Sequence, residues 1–162
     1  MIPEHLQGFR WKAEFFTRLK NGTPMLSGNG VVALSRQLGV TRRDVTLLPM
    51  IPLGSGYAVA VTVRVYFGDR TFDGAASAST SEFKENKWKD RRQYNMVQMT
   101  VGRAWSQAIR AAIFMSNEDV TTIADELGVV YVDPKAGTHM REPEETEEEA
   151  VDLSNDDMAD LI

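Results

Sequence analysis

Gly56-Tyr57-Ala58-Val59-Ala60-Val61-Thr62-Val63-Arg64-Val65-Tyr66-Phe67 is the stretch that decides the fold. β-Branched residues recur at every second position, the pattern of a half-buried strand. Odd positions from Tyr57 to Phe67 make one apolar face; Ala58, Ala60, Thr62 and Arg64 make the other, small and polar enough to lie under another element. Gly68-Asp69 turns the chain into a short antiparallel partner, Arg70 to Gly74. Further on, Met96 to about Phe114 reads as the longest helix, with Met96, Met99, Val101, Trp105, Ala108, Ile109, Ala112 and Ile113 on a broad apolar face. The expected class is α+β, an antiparallel sheet with a long helix packed across it.

Working outward, Asn21-Gly22 between the apolar-rich runs Ala13–Lys20 and Thr23–Ser27 signals a hairpin, because a type I′ turn needs positive φ twice. Pro24 assigns its second arm to an edge. One helix from Phe9 to Lys20, stopped by Asn-Gly, is the alternative. Val31, Leu34, Ser35 and Leu38 stand at helical spacing and Gly39 suits the C-terminal cap. Asp44 to Met50 is a third strand candidate, with Pro49 at its end. Thr80 to Asn95 lacks apolar periodicity and reads as a loop. Ser116 to Asp119 can cap a short helix from Val120 to Leu127, ended by Gly128, and Val129 to Val132 is a possible last strand.

A chain of 162 residues, 43% hydrophobic with three Trp and seven Phe, is long enough for one cored domain. The expected division is a domain over residues 1–134 and a disordered acidic tail over 135–162. The absence of cysteine excludes disulfides and thiolate metal sites. No apolar run reaches the roughly 18 residues of a membrane span, and Met-Ile-Pro-Glu-His lacks the layout of a signal peptide, so a cytoplasmic protein without a membrane is expected. Net charge is −5, but it is segregated. Residues 141–162 set ten acids against Arg141, a net of −9, which leaves +4 on residues 1–140. An acidic tail on a mildly basic body points towards nucleic acid.

Catalytic patterns are missing. His5 and His139 lie at the two ends, outside any metal-ligand spacing, and no nucleophile elbow, phosphate loop or dinucleotide motif occurs. Gly28-Asn29-Gly30 before a helix can cradle a phosphate, but a turn feeding a helix explains it as well. The expectation is a non-enzyme with no metal and no cofactor.

Binding features are stronger. Between Phe83 and Tyr94, Lys84, Lys87, Lys89, Arg91 and Arg92 interleave with Trp88 and Tyr94. That composition pairs phosphate contact with base stacking; the alternative is a solvated loop partly neutralised by Glu82, Glu85 and Asp90. Arg103, Ser106, Gln107 and Arg110 form one polar stripe on the long helix, either a solvated face or, if it shares a groove with the loop and Arg64, part of the same site. In the tail, acids precede Met158, Leu161 and Ile162, an apolar tip able to dock in a partner pocket while the acids compete with DNA for the basic surface. An inert tail is the alternative.

A hairpin, a helix after glycine, a Val-rich strand, the run Gly74-Ala75-Ala76-Ser77-Ala78-Ser79 and the run Arg103-Ala104-Trp105-Ser106-Gln107-Ala108-Ile109-Arg110 follow in that order. This layout, over roughly residues 14–115, resembles the Rad-fifty-two-like single-strand annealing proteins of recombination and related phage and archaeal annealing proteins. The resemblance implies a β-β-β-α core assembled as a homo-oligomeric ring or filament. It also implies single-stranded DNA as partner and strand annealing without ATP. Arg110 matches a basic position of that family's helix, whereas Ser106, Gln107 and Gly30 stand where basic residues are expected, which moves the expected site towards Lys84–Arg92 with Arg103 and Arg110. The tail resembles those of prokaryotic single-strand binding proteins, whose tips recruit replication or recombination partners. A single-strand binding protein of oligonucleotide-binding-barrel type, and a structural or assembly protein, are the other two readings.

Overall fold

A computed structural model of the chain describes residues 1–82 and 92–132, with the backbone alone at Arg92 and Gln93. The N-terminal hairpin forms: β1 (Phe16–Arg18) pairs antiparallel with β2 (Pro24–Leu26) in the register Phe16↔Leu26 and Arg18↔Pro24. The turn is not the type I′ expected of Asn-Gly: Asn21 is not at positive φ, and the loop closes through the Gly22 N–H to the Leu19 carbonyl at 2.9 Å and the Leu19 N–H to the Thr23 carbonyl at 2.9 Å. Gly22 sits at φ +86°, and the Asn21 side chain accepts from the Thr23 N–H at 3.0 Å. The competing helix from Phe9 to Lys20 is absent; within that span there is one 3₁₀ turn, Ala13–Phe15, and an earlier one covers Glu4–Leu6.

Helix α1 (Gly28–Leu38) is capped by Ser27, whose Oγ accepts from the Gly30 N–H at 3.1 Å, and is closed by Gly39 at φ +73°. Gly30 is there for space. A Cβ at this position would lie 2.2 Å from the Phe15 carbonyl oxygen, so helix and hairpin meet backbone to backbone.

The main sheet has β5 (Gly56–Phe67) at its centre. Along one side run β3 (Arg42–Leu47) and the short β4 (Ile51–Leu53); along the other runs β6 (Arg70–Ser79), all antiparallel to β5. The alternation of β5 acts as its sequence predicts. Val59, Val61, Val63 and Val65 are at most 1% exposed, and full burial of each contributes about 1.5–3 kcal/mol relative to solvent.

Helix α2 (Arg92–Ala112) crosses this valine face, burying Met96, Thr100, Ala104, Ala108 and Ile109. It approaches so closely because β6 presents only Gly74, Ala76 and Ala78 opposite Val63, Val61 and Val59. After α2, Phe114 adopts φ 54° and the Met115 N–H bonds back to the Arg110 carbonyl, ending the helix. Helix α3 (Asn117–Glu126) begins with a capping box between Ser116 and Asp119 and returns to the hairpin. Arg18 fastens it there through an ion pair with Asp125 and a 2.9 Å bond to the Val129 carbonyl.

The architecture is α+β, with antiparallel sheets and three helices among the described residues. Several boundaries differ from the sequence reading, α3 among them, which starts at Asn117 rather than Val120. β6 runs ten residues where five were expected, because its small residues carry little hydrophobic signal yet fit under a helix. α2 begins at Arg92 inside the expected loop, its first turn being polar, and stops at Ala112. β3 starts two residues early and ends at Leu47 rather than Met50, and a short strand that the sequence reading did not expect, β4, follows at Ile51–Leu53. Residues 129–132 form no strand: Gly128 is left-handed and the Val129 N–H is spent on the Ala124 carbonyl. No helix among the described residues is long and apolar enough to cross a membrane. The assignments over residues 133–162, including the disordered tail, lie outside the described residues.

Candidate nucleic-acid interface

Alternation along β5 sends Arg64 to the face away from α2. It stands directly opposite Asp73 on β6 and forms a two-pronged ion pair with it, Nε to Oδ1 at 2.6 Å and Nη2 to Oδ2 at 2.8 Å. The pair holds the Arg64 pKa above its ordinary value and the Asp73 carboxyl below its own, chiefly through these hydrogen bonds. Beside it, Tyr66 Oη donates to Asp44 Oδ2 at 2.8 Å, while Arg42 contacts the same oxygen at 3.2 Å and lies 4.1 Å over the Tyr66 ring.

Arg64, Asp73, Tyr66 and Asp44 line a depression of about 500 Å³, with Thr46, Thr62 and Ala75 completing its wall and Arg42 on the same face beside it. Two arginines meet two aspartates there, so the face carries no net charge to attract a polyanion. A phosphate would have to draw Arg64 away from Asp73 first.

The helix stripe lies elsewhere. Arg103 Nη1 pairs with Glu82 at 2.9 Å, just beyond the end of β6. Gln107 Oε1 accepts from the Ala75 N–H at 3.4 Å, covering part of the outer edge of β6. Arg110 is half-buried at the α2–α3 junction, with Nη2 donating to Asn117 Oδ1 at 2.7 Å. Its Nε has no partner, and desolvation lowers its pKa. The stripe therefore follows the β6 edge, and the sheet stands between it and the Arg64 side chain.

Lys84, Lys87, Trp88, Lys89 and Arg91 lie outside the described residues, as do Met158, Leu161 and Ile162 of the tail. Arg92 opens α2, so the basic stretch leads directly into the helix that carries Arg103 and Arg110.

Two arginines that the sequence reading passed over lie over aromatic rings, without an acidic partner among the described residues. Arg43 lies 4.1 Å over the Trp105 ring, and Arg70 lies over Phe67 and Phe72 at 5.7 and 5.4 Å. The signal for Arg43 was available: consecutive arginines in a strand must point to opposite faces, and one of them has to reach the helix side. Gly28-Asn29-Gly30 is accounted for by the Ser27 cap and the contact of Gly30 with Phe15. His5 Nε2 is 3.1 Å from the Phe114 carbonyl oxygen. No group of three or more His, Asp or Glu able to hold a metal occurs among the described residues.

Compared with models of known protein families and with curated proteins, the chain matches none.

Proposed function

We propose that this protein binds single-stranded DNA and anneals complementary strands without ATP, as a homo-oligomer. The observation that carries this reading is the order of parts. Three antiparallel strand segments, β3/β4, β5 and β6, are followed by one long helix across their apolar face, with Lys84, Lys87, Lys89 and Arg91 between the last strand and that helix in sequence and Arg92 at the helix's first position. This is the β-β-β-α order that the annealing-protein resemblance implies. Because the described Arg64, Arg103 and Arg110 have polar partners within the chain, phosphate contact falls chiefly to Lys84, Lys87, Lys89, Arg91 and Arg92, with Trp88 as a stacking platform. The apolar tip Met158, Leu161 and Ile162 would recruit a replication or recombination partner. An oligonucleotide-binding barrel is less well supported, since the outer edge of β6 meets Gln107 of the helix and the described sheet stays open.

A second reading, a structural or assembly protein, is favoured by a specific observation: Val45, Leu47, Ile51 and Leu53 are large, apolar and about half exposed. Binding of the full chain to a labelled single strand over a series of salt concentrations separates the two. Strand binding through the basic stretch gives an affinity that falls steeply with salt, with a log–log slope of about −0.7 per phosphate neutralised. No binding even at low salt removes the DNA reading and leaves the assembly reading.

A further inference from the structure

We infer that the uncharged arm from Val45 to Gly56 is a surface through which two copies of this chain meet, each offering the same arm. This rests on the homo-oligomeric part of the reading above and not on DNA binding. Val45 stands opposite Val63, and Leu47 opposite Val61, so both point to the face that α2 covers. They are nevertheless 45% and 53% exposed, because the helix lies over β5 and β6. The Leu48 N–H bonds to the Ala60 carbonyl, Ile51 stands opposite Ala58 and Leu53 opposite Gly56, which turns these three to the other face, again 41–53% exposed. The arm is thus apolar on both faces at the edge of a sheet.

Edge strands are ordinarily protected by charges, prolines or a covering element. The far edge of this sheet has such cover, with Gln107 on the Ala75 N–H and Glu82 on the Ser79 N–H. From Val45 to Gly56 there is no charged residue. Pro49 and Pro52 remove two donors, so the arm meets its partner mainly by side-chain packing. A polyanion or an acidic segment finds no cation here; the occupant has to be apolar and uncharged, which the same arm on a second copy is.

Area agrees. Five half-exposed large side chains leave on the order of 400 Å² of apolar surface, the size of the largest patch on a typical monomer. A stable interface needs about 800 Å² per partner, so the arm, with its two faces together, is the apolar centre of a larger contact. An isologous contact of this kind buries both open edges at once.

The test uses the full chain without DNA, so its result is independent of strand binding. Sedimentation should show wild-type assemblies of at least twice the 18.1 kDa monomer. Leu47→Asp combined with Ile51→Asp should weaken self-association at least tenfold, with the helical circular dichroism signal retained. Because the chain has no cysteine, Leu47→Cys alone should give a covalent dimer on mild oxidation, whereas Met25→Cys, exposed on β2, should not. A wild type that stays monomeric, an aspartate variant that still assembles, or assembly without Leu47→Cys cross-linking would each overturn the inference.

Discussion

Gly74 of β6 lies against the backbone of α2 so closely that a Cβ at residue 74 would stand 1.9 Å from the Ala104 carbonyl oxygen and 2.5 Å from the Ala108 nitrogen. The contact ties the small-residue run of β6 to the long helix and fixes how deeply that helix sits on the valine face.

Gly74→Ala should therefore destabilise the protein. Forcing a methyl group into a filled contact costs about 1–3 kcal/mol, more than the several tenths gained from a stiffer unfolded chain. Urea unfolding measures it, and Gly74→Val should be worse. A midpoint at or above that of the wild type would contradict the packing.

Arg43 and Trp105 form the only described bond of this kind between β3 and α2, with the guanidinium 4.1 Å over the ring. A double-mutant cycle of Arg43→Ala and Trp105→Leu should return a coupling of about 0.5–1 kcal/mol, the range for an exposed cation–π pair. Additive losses would mean that β3 is held by its ladder to β5 alone.

The Ser116 capping box gives a pH prediction. Asp119 accepts from the Ser116 N–H and Oγ, both at 2.8 Å, and these bonds, with Arg110 and the His5 ring nearby, hold its carboxyl below the ordinary 3.8. A depressed pKa means that the contribution is complete above 3.8 and is lost as pH falls through the folded value. Ser116→Ala should cost about 0.5–2 kcal/mol near neutral pH, and the gap between Asp119→Asn and wild type should shrink as the pH falls below 3.8. Thermal melts at both ends of that range measure it; a constant gap would place Asp119 outside the cap.

For the basic stretch, replacing Lys84, Lys87, Lys89, Arg91 and Arg92 by glutamine should lower single-strand affinity and flatten its salt slope. Trp88→Ala alone should cost about 1–3 kcal/mol of binding. An unchanged slope in the five-fold variant would move the interface to other residues.

Much of this fold was legible because local chemistry and tertiary contacts agree. Asn21-Gly22 favours a turn over a continuing helix, the valines of β5 alternate as a half-buried strand requires, and Ser116 with Asp119 suits a helix start. The misreadings have one cause: the deciding partner lay far along the chain. β6 past Gly74 looks featureless until α2 is laid over it, and Arg92 to Asn95 looks like loop because a polar first turn has no apolar face to show. The candidate site was less legible. The sequence displays Arg64, Arg103 and Arg110 as charges, while Asp73, Glu82 and Asn117, which engage them, are defined by strand register and helix crossing.

The central claim is annealing, and it is tested by mixing the full chain with two complementary labelled oligonucleotides, without ATP, and following duplex formation by fluorescence. Pairing faster than the spontaneous rate is expected. Strands that are bound but held apart, or a rate equal to that without protein, would contradict it.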